Sequence, residues 1–232
     1  MMKRFATTLA LLAICAAPAF AANAVRISQV YGGGGGTTAS TDFIELFNNS
    51  GSPVNISGWV LEYGSATGLW NSFTGNAFVF PAGAVIQPCG YLLFAGNVGT
   101  GGAPSIGADY ATSPTTQFNM SGTNGKVMLV TVLNGDGTAG GAVACGSEVG
   151  VIIDKVAWGS STCAEGTATP ALTASTAAFR KVGGTVDTDN NLADFTTGLA
   201  PAPRNSQSPK NPTCLITPTR TSTWGAVKSI YR

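Results

Sequence analysis

Eight runs of four to eight residues, at 25–31, 42–48, 58–63, 77–80, 91–95, 126–133, 151–158 and 178–182, are rich in β-branched and aromatic residues. Gly, Asn and Pro separate them, and that spacing predicts strands joined by turns. Within 58–63, Trp59, Leu61 and Tyr63 alternate with Val60 and Glu62, the period of two of a sheet element. Turn chemistry is concentrated at 49–53, 81–83 and 134–137, the last placed to close a hairpin after 126–133. Beyond the first 21 residues no stretch has convincing helical periodicity, a short pattern near the C-terminus aside. Short strands without helices between them predict an all-β fold, an immunoglobulin-like β-sandwich. Two long loops rich in Gly, Ser and Thr, 96–116 and 159–177, exceed a minimal sandwich, and such loops are functional or mobile.

The 232-residue chain is 44% apolar, enough for one domain with a proper core, yet only 10% charged. An average soluble domain is about 25% charged, so Gly, Ser, Thr and Asn must cover this surface. Histidine is absent, which excludes Ser-His-Asp and Cys-His nucleophiles, His-ligated zinc and His-dependent phosphodiester cleavage. An enzyme built on this chain would work through carboxylates, Lys, Tyr or Ser.

Residues 1–21 have the pattern of a secretory signal: Lys3 and Arg4, an apolar run from Phe5 to Ala17, and Ala19-Phe20-Ala21 as the cleavage site. The run falls short of the roughly 20 residues a membrane span needs. Ile14 before Cys15 opposes lipid attachment, and no transmembrane anchor is expected after cleavage. Four cysteines follow, an even number in an exported chain, so disulfides are expected. Of the three possible pairings, Cys145 with Cys163 is favoured because both flank the 151–158 strand, leaving Cys89 with Cys214. Without C-x-x-C spacing or His, a metal site is disfavoured.

Without the signal, 10 cations face 11 acids. From 22 to 203 five cations face all 11 acids, a balance of −6, whereas 204–232 holds five cations and no acid. Phosphate contacts are made by Lys and Arg, so a nucleic-acid face on the body is disfavoured and only the tail could serve. Pro209, Pro212 and Pro218 make the tail a semi-extended segment. Near its end Trp224, Val227, Ile230 and Tyr231 share one side of a short helical pattern that would need a partner.

Several segments in order carry a family resemblance: V-R-I-S-Q-V-Y-G-G-G-G-G at 25–36, T-D-F-I-E-L-F-N-N at 41–49, N-I-S-G-W-V-L-E at 55–62, D-K-V-A-W-G at 154–159, A-F-R-K at 178–181, D-T-D-N-N-L-A-D-F at 187–195 and P-A-P-R-N-S at 201–206. Together they resemble the lamin-tail domain of secreted bacterial proteins, over about residues 25–207. The resemblance implies an immunoglobulin-like sandwich and a place as an accessory module, often beside nuclease or phosphoesterase domains. The expected organisation is a signal at 1–21, the sandwich at 22–207 and a Pro-containing basic tail at 208–232.

In D-F-I-E-L-F-N, Phe43, Glu45 and Phe47 share one strand face and Ile44 and Leu46 the other. Glu45 among aromatics needs a partner, and Arg180 is the expected partner of Asp42 or Glu45. Glu45 as a general acid or base would need a second carboxylate and a cleft. Asp187, Asp189, Asn191 and Asp194 resemble the D-x-D-x-N opening of a calcium loop, but Leu192 stands where Gly is needed and no closing Glu follows. Asp and Asn clusters also fix turns through their own backbone, the preferred reading here. The run Gly32 to Gly36 opens no helix, so it reads as a connection between strands, not a phosphate cradle. Sequons stand at Asn48, Asn55 and Asn119.

No catalytic, cofactor or metal residue is therefore assigned. The expected function is a secreted, non-catalytic module for binding, adhesion or anchoring at a cell surface or matrix, with a surface component or protein as partner. The alternative is an exported metal-dependent hydrolase or nuclease, or a nuclease accessory protein. A third reading is a purely structural envelope or matrix part.

Overall fold

Chain segments rich in Val, Ile, Phe and Tyr pair into three sheets in the computed structural model, which describes residues 24–33, 41–72, 75–98, 106–112, 118–133, 141–199 and 202–214. The signal segment, Gly34 to Gly36, the 134–137 turn and the Trp224–Tyr231 pattern lie outside the described residues.

The elements in chain order are β1 (Val25–Tyr31), β2 (Thr41–Asn48), β3 (Val54–Asn55), β4 (Val60–Ser65), β5 (Ala77–Val79), β6 (Val85–Ile86), β7 (Tyr91–Val98), β8 (Tyr110–Ala111), β9 (Gly125–Val130), β10 (Ile152–Trp158) and β11 (Thr176–Arg180). Two four-residue turns, α1 (Lys181–Gly184) and α2 (Asn191–Asp194), precede β12 (Phe195–Leu199). One sheet has the order β12-β11-β1-β2-β7-β8, a second β10-β9-β4-β5, and β3 pairs with β6. Every pairing is antiparallel except β7 with β8. This is the expected all-β immunoglobulin-like sandwich, with β3, β6, β8 and β12 added to the eight strands read from sequence. In α1, Val182 and Gly183 have φ of 51° and 66°, so the element is a left-handed turn that ends β11 and not a regular helix.

The two larger sheets meet over Ile27, Ile44, Leu46 and Phe94 on one side and Leu61, Val127, Leu129 and Trp158 on the other. Parts of their outer faces are also buried. Phe43 packs with Tyr31, Leu93 and Ala177, and Phe47 with Tyr91 and the Cys89–Cys214 pair. Val60, Met128 and Val130 lie under Trp70 and Cys163. Hence all eight residues of β2 are buried, although Phe43, Glu45 and Phe47 do face away from Ile44 and Leu46 as the alternation requires. The loops that sequence marks as surplus are what cover these faces. Residues 106–112 add β8 beside β7, and Cys163 in the 159–177 loop sits above β4 and β9.

Both favoured disulfides are present. Cys89–Cys214 spans 125 residues and Cys145–Cys163 spans 18. Gly32 runs against Ser121, whose carbonyl oxygen would lie 2.5 Å from any added Cβ. Asn48 is fully buried and donates to the carbonyls of Ser52 and Ile86, which closes that sequon, whereas Asn55 and Asn119 are exposed.

Candidate functional site

Where β1 bulges between Ile27 and Gln29, two side chains do the work of a missing ladder. Asp154 of β10 accepts the Ile27 N–H at 2.6 Å, and the Arg180 Nε of β11 donates to the Ile27 carbonyl at 2.9 Å. The same two groups pair with each other at 2.6 Å, with the Arg180 side chain fully buried. Both polar groups of a buried backbone unit are thereby satisfied at the junction of the sheets. Arg180 also lies over the Phe195 ring at 4.5 Å and donates to Asp187 at 3.3 Å. Burial alone pushes its guanidinium down, but Asp154 and Asp187 more than offset this and hold it above its ordinary value.

The expected pairing of Arg180 with Asp42 or Glu45 is therefore corrected. Asp42 accepts the Met120 N–H at 2.7 Å, and Glu45 pairs with Arg204 at 2.7 Å. Arg180 is drawn away because β11 lies on the other side of β1 from β2, facing β10 and the turn after α1.

The 187–194 segment divides its oxygens among structural duties. Asp187 meets Arg26 at 3.1 Å through one oxygen and Arg180 through the other. Asn191 accepts the Ala157 N–H and donates to the Lys155 carbonyl, both at 2.9 Å, so its amide closes the edge of β10 as a strand would. Asp194 is buried and accepts from the Thr188 N–H, the Thr188 hydroxyl and the Asn190 N–H. Burial pushes Asp194 up, but these hydrogen bonds and Arg180 together hold its carboxyl below the ordinary value. Asn191 and Asp194 thus leave the calcium-like set.

Glu165, which sequence reasoning did not single out, joins Asp187 and Asp189 with carboxylate oxygens within 4.8 Å of one another. Burial and the nearby Asp154 charge push Glu165 up to about 8. Glu165 accepts from the Asn191 amide at 3.4 Å.

On the outer face of the large sheet, Glu45 is fully buried and holds a strap formed by residues 202–214. Arg204 reaches it through Nη2 at 2.7 Å and Nε at 3.1 Å, and the Arg204 N–H donates at 2.7 Å. Ser28 donates from its hydroxyl at 2.5 Å. The guanidinium stacks 3.8 Å from the Tyr91 ring centroid and donates to the Tyr91 hydroxyl, which in turn donates to the Gly183 carbonyl. Beyond Arg204, Ser206 is held by Asp109, and Asn211 by the carbonyls of Val182 and Gly183. Cys214 then closes onto Cys89. Charge counting placed Arg204 with the tail cations, but it is a structural partner of the body. Only the P-A-P-R-N-S motif signalled this.

Over the smaller sheet, the indole N–H of Trp70 donates to Glu148 at 2.8 Å, and Trp70 pairs through its backbone with Val143. The Cys145–Cys163 bond pins the same loops. Lys126 lies beneath, donating to the Gly68 carbonyl at 2.6 Å and sitting 5.0 Å from the Trp70 ring centroid. Burial holds its amine below the ordinary lysine value.

Side-chain clasps at the sheet seam, a strap over one face and a disulfide-pinned lid over the other define an immunoglobulin-like sandwich module with its buried charges engaged internally. The chain belongs to the Lamin Tail Domain family, whose model matches residues 18–160, more than half of its length. No curated protein matches it. Among solved structures, a DUF4876 family protein from Bacteroides thetaiotaomicron VPI-5482 is similar over 84% of this chain and 74% of its own, at 11% identity and a TM-score of 0.49. Among the described residues, no helix is long and apolar enough to cross a membrane.

Proposed function

We propose that this chain is an exported, non-catalytic accessory module that binds or anchors at a cell surface or matrix through its outer surface. The observation that carries this reading is the engagement of four acids of the body, Glu45, Asp154, Asp187 and Asp194, by protein donors. Glu45 is closed by Arg204, Asp154 by Arg180 and Ile27, and Asp187 by Arg26 and Arg180. Asp194 is held by Thr188 and Asn190. A general acid or base needs a proton-donating or proton-accepting atom within reach of substrate, and these atoms face protein donors instead. Export is supported by the 1–21 signal pattern and by two disulfides, which persist in oxidising compartments.

The test is a calorimetric series on the chain from Ala22 with calcium, magnesium or chelator, run beside a metal-supplemented nuclease assay. A ligand that binds only the folded state must raise the melting temperature. An unchanged melting temperature and no cleavage are expected. A calcium-dependent rise abolished by Asp189→Ala, accompanied by cleavage lost in the same variant, would instead establish the metal-dependent hydrolase reading at Glu165, Asp187 and Asp189.

A further inference from the structure

The sheet edges of this sandwich end in different ways. β8 has two residues and β5 three, and shortness is itself a guard against pairing with another chain. The edge of β10 is occupied: Asn191 takes the Ala157 N–H and the Lys155 carbonyl, while Thr169 bonds through its backbone to Ala157 and Gly159. Even the short gap at Ile27 is closed by Asp154 and Arg180.

β12 departs from this pattern. Its five residues, F-T-T-G-L, pair with β11 from Arg180↔Phe195 to Thr176↔Leu199 without a register shift. Among the described residues, nothing hydrogen-bonds to its other edge. Thr196 and Thr197 are exposed, and Leu199 is 74% exposed. The strand has no charge, no proline and no bulge, so it lacks the usual devices that keep an edge from pairing.

We propose that β12 is a homotypic assembly edge, pairing antiparallel with β12 of a second copy of this chain and joining two six-stranded sheets into one. The sequence suits its own two-fold copy. Centred on Thr197, the pairing sets Thr197 against Thr197, Thr196 against Gly198, and Leu199 against Phe195. Cross-strand threonine pairs and aromatic–aliphatic pairs stabilise antiparallel sheets, and like charges directly opposite destabilise them. A charge at the centre of this strand would meet its own copy, and none is there. Phe195 packs in the intersheet core and shares its strand face with Leu199, so the partner's exposed leucine would cover the rim of that core. An isologous contact of this kind closes as a dimer, because it uses the β12 edge of both copies and leaves the two-residue β8 at each end of the joined sheet. It stands independently of whichever outside partner the module binds.

The test uses the chain from Ala22 with its disulfides intact. Directly opposite residues in an antiparallel pair have Cα atoms about 4.5 to 5.5 Å apart, within disulfide range. Thr197→Cys is therefore expected to give a covalent dimer on a non-reducing gel, with Ala82→Cys, at an exposed turn outside β12, staying monomeric. In sedimentation velocity the unmodified chain is expected to move toward twice the monomer mass with rising concentration, and Thr197→Lys to remain monomeric with the melting temperature that the parent has at concentrations where it is monomeric. A monomer at every concentration, or a Thr197→Lys protein that dimerises like the parent, overturns the proposal. Equal cross-linking of the two cysteine variants does so as well.

Discussion

Removal of the Arg204 side chain is the sharpest probe of how the strap is held. Glu45 has no exposed side-chain area and Arg204 is 32% exposed, so Arg204→Ala leaves a carboxylate where little water reaches it. Breaking a buried ion pair costs about 3 to 5 kcal/mol. Two features place this case at the lower end: the partial exposure of Arg204, and the donors that remain, namely the Ser28 hydroxyl, the backbone N–H of residue 204 and the Gln29 amide at 3.5 Å. The expected loss is about 3 kcal/mol, or a fall in melting temperature of about 6 to 12 °C for a chain of this size. Glu45→Gln leaves the cation able to hydrate and is expected to cost about half as much, in line with a single charged hydrogen bond. The double variant removes the stranded charge, so its loss is expected to fall below the sum of the two singles by about 1 to 2 kcal/mol. Urea unfolding without reductant is the assay, because Cys89–Cys214 then tethers the strap equally in every unfolded state. An Arg204→Ala loss under about 1 kcal/mol, the range of exposed pairs, would refute the reasoning. Strict additivity in the cycle would do the same.

Other consequences follow from the clasps. Glu165 has a folded-state value of about 8 against an ordinary 4.5, so between these pH values the folded chain keeps a proton that the unfolded chain releases. Stability should therefore fall as pH rises through that window, by up to a few kcal/mol, and Glu165→Gln should flatten the profile when melting is followed from pH 5 to 8. Parallel profiles for parent and variant would count against the raised value. Chain-entropy arguments put the 125-residue crosslink at about 5 kcal/mol and the 18-residue one at about 3 kcal/mol. Paired Ser replacements of Cys89 and Cys214 should accordingly destabilise more than those of Cys145 and Cys163, and the reverse order in urea midpoints would contradict this.

The strands were legible because their side chains had to meet two constraints at once, β propensity and burial. Val25–Tyr31, Thr41–Asn48 and Ile152–Trp158 satisfy both without help from distant sequence. β3, β6 and β8 have two residues each, too few for a period to register, and exist because neighbours supply the pairing. β12 was hidden for a different reason: Thr196, Thr197 and Gly198 lack the apolar alternation of a half-buried strand, since only Phe195 is buried. The cysteine pairing was accessible because one pair flanks a single strand and leaves the other by elimination.

Which acid meets which cation was not legible, because strand order decides it. β11 lies beside β1 on the side away from β2, so Arg180 reaches Asp154 and Asp187 but not Glu45. Arg204 reaches Glu45 only because the strap crosses the outer face before Cys214 closes it. Sequence spacing around 187–194 suggested ligands turned toward one ion, whereas the fold turns Asn191 toward an open strand edge and Asp194 toward its own turn. For Asp154 and Asn191 a buried backbone N–H, that of Ile27 and of Ala157, determines where the polar side chain goes, since leaving such a group unpaired costs about 1 to 3 kcal/mol. A chain with so few charges has little ionic surface with which to bind. On the proposed binding reading, recognition rests on exposed backbone, hydroxyls and isolated apolar side chains, and β12 offers all three in five residues.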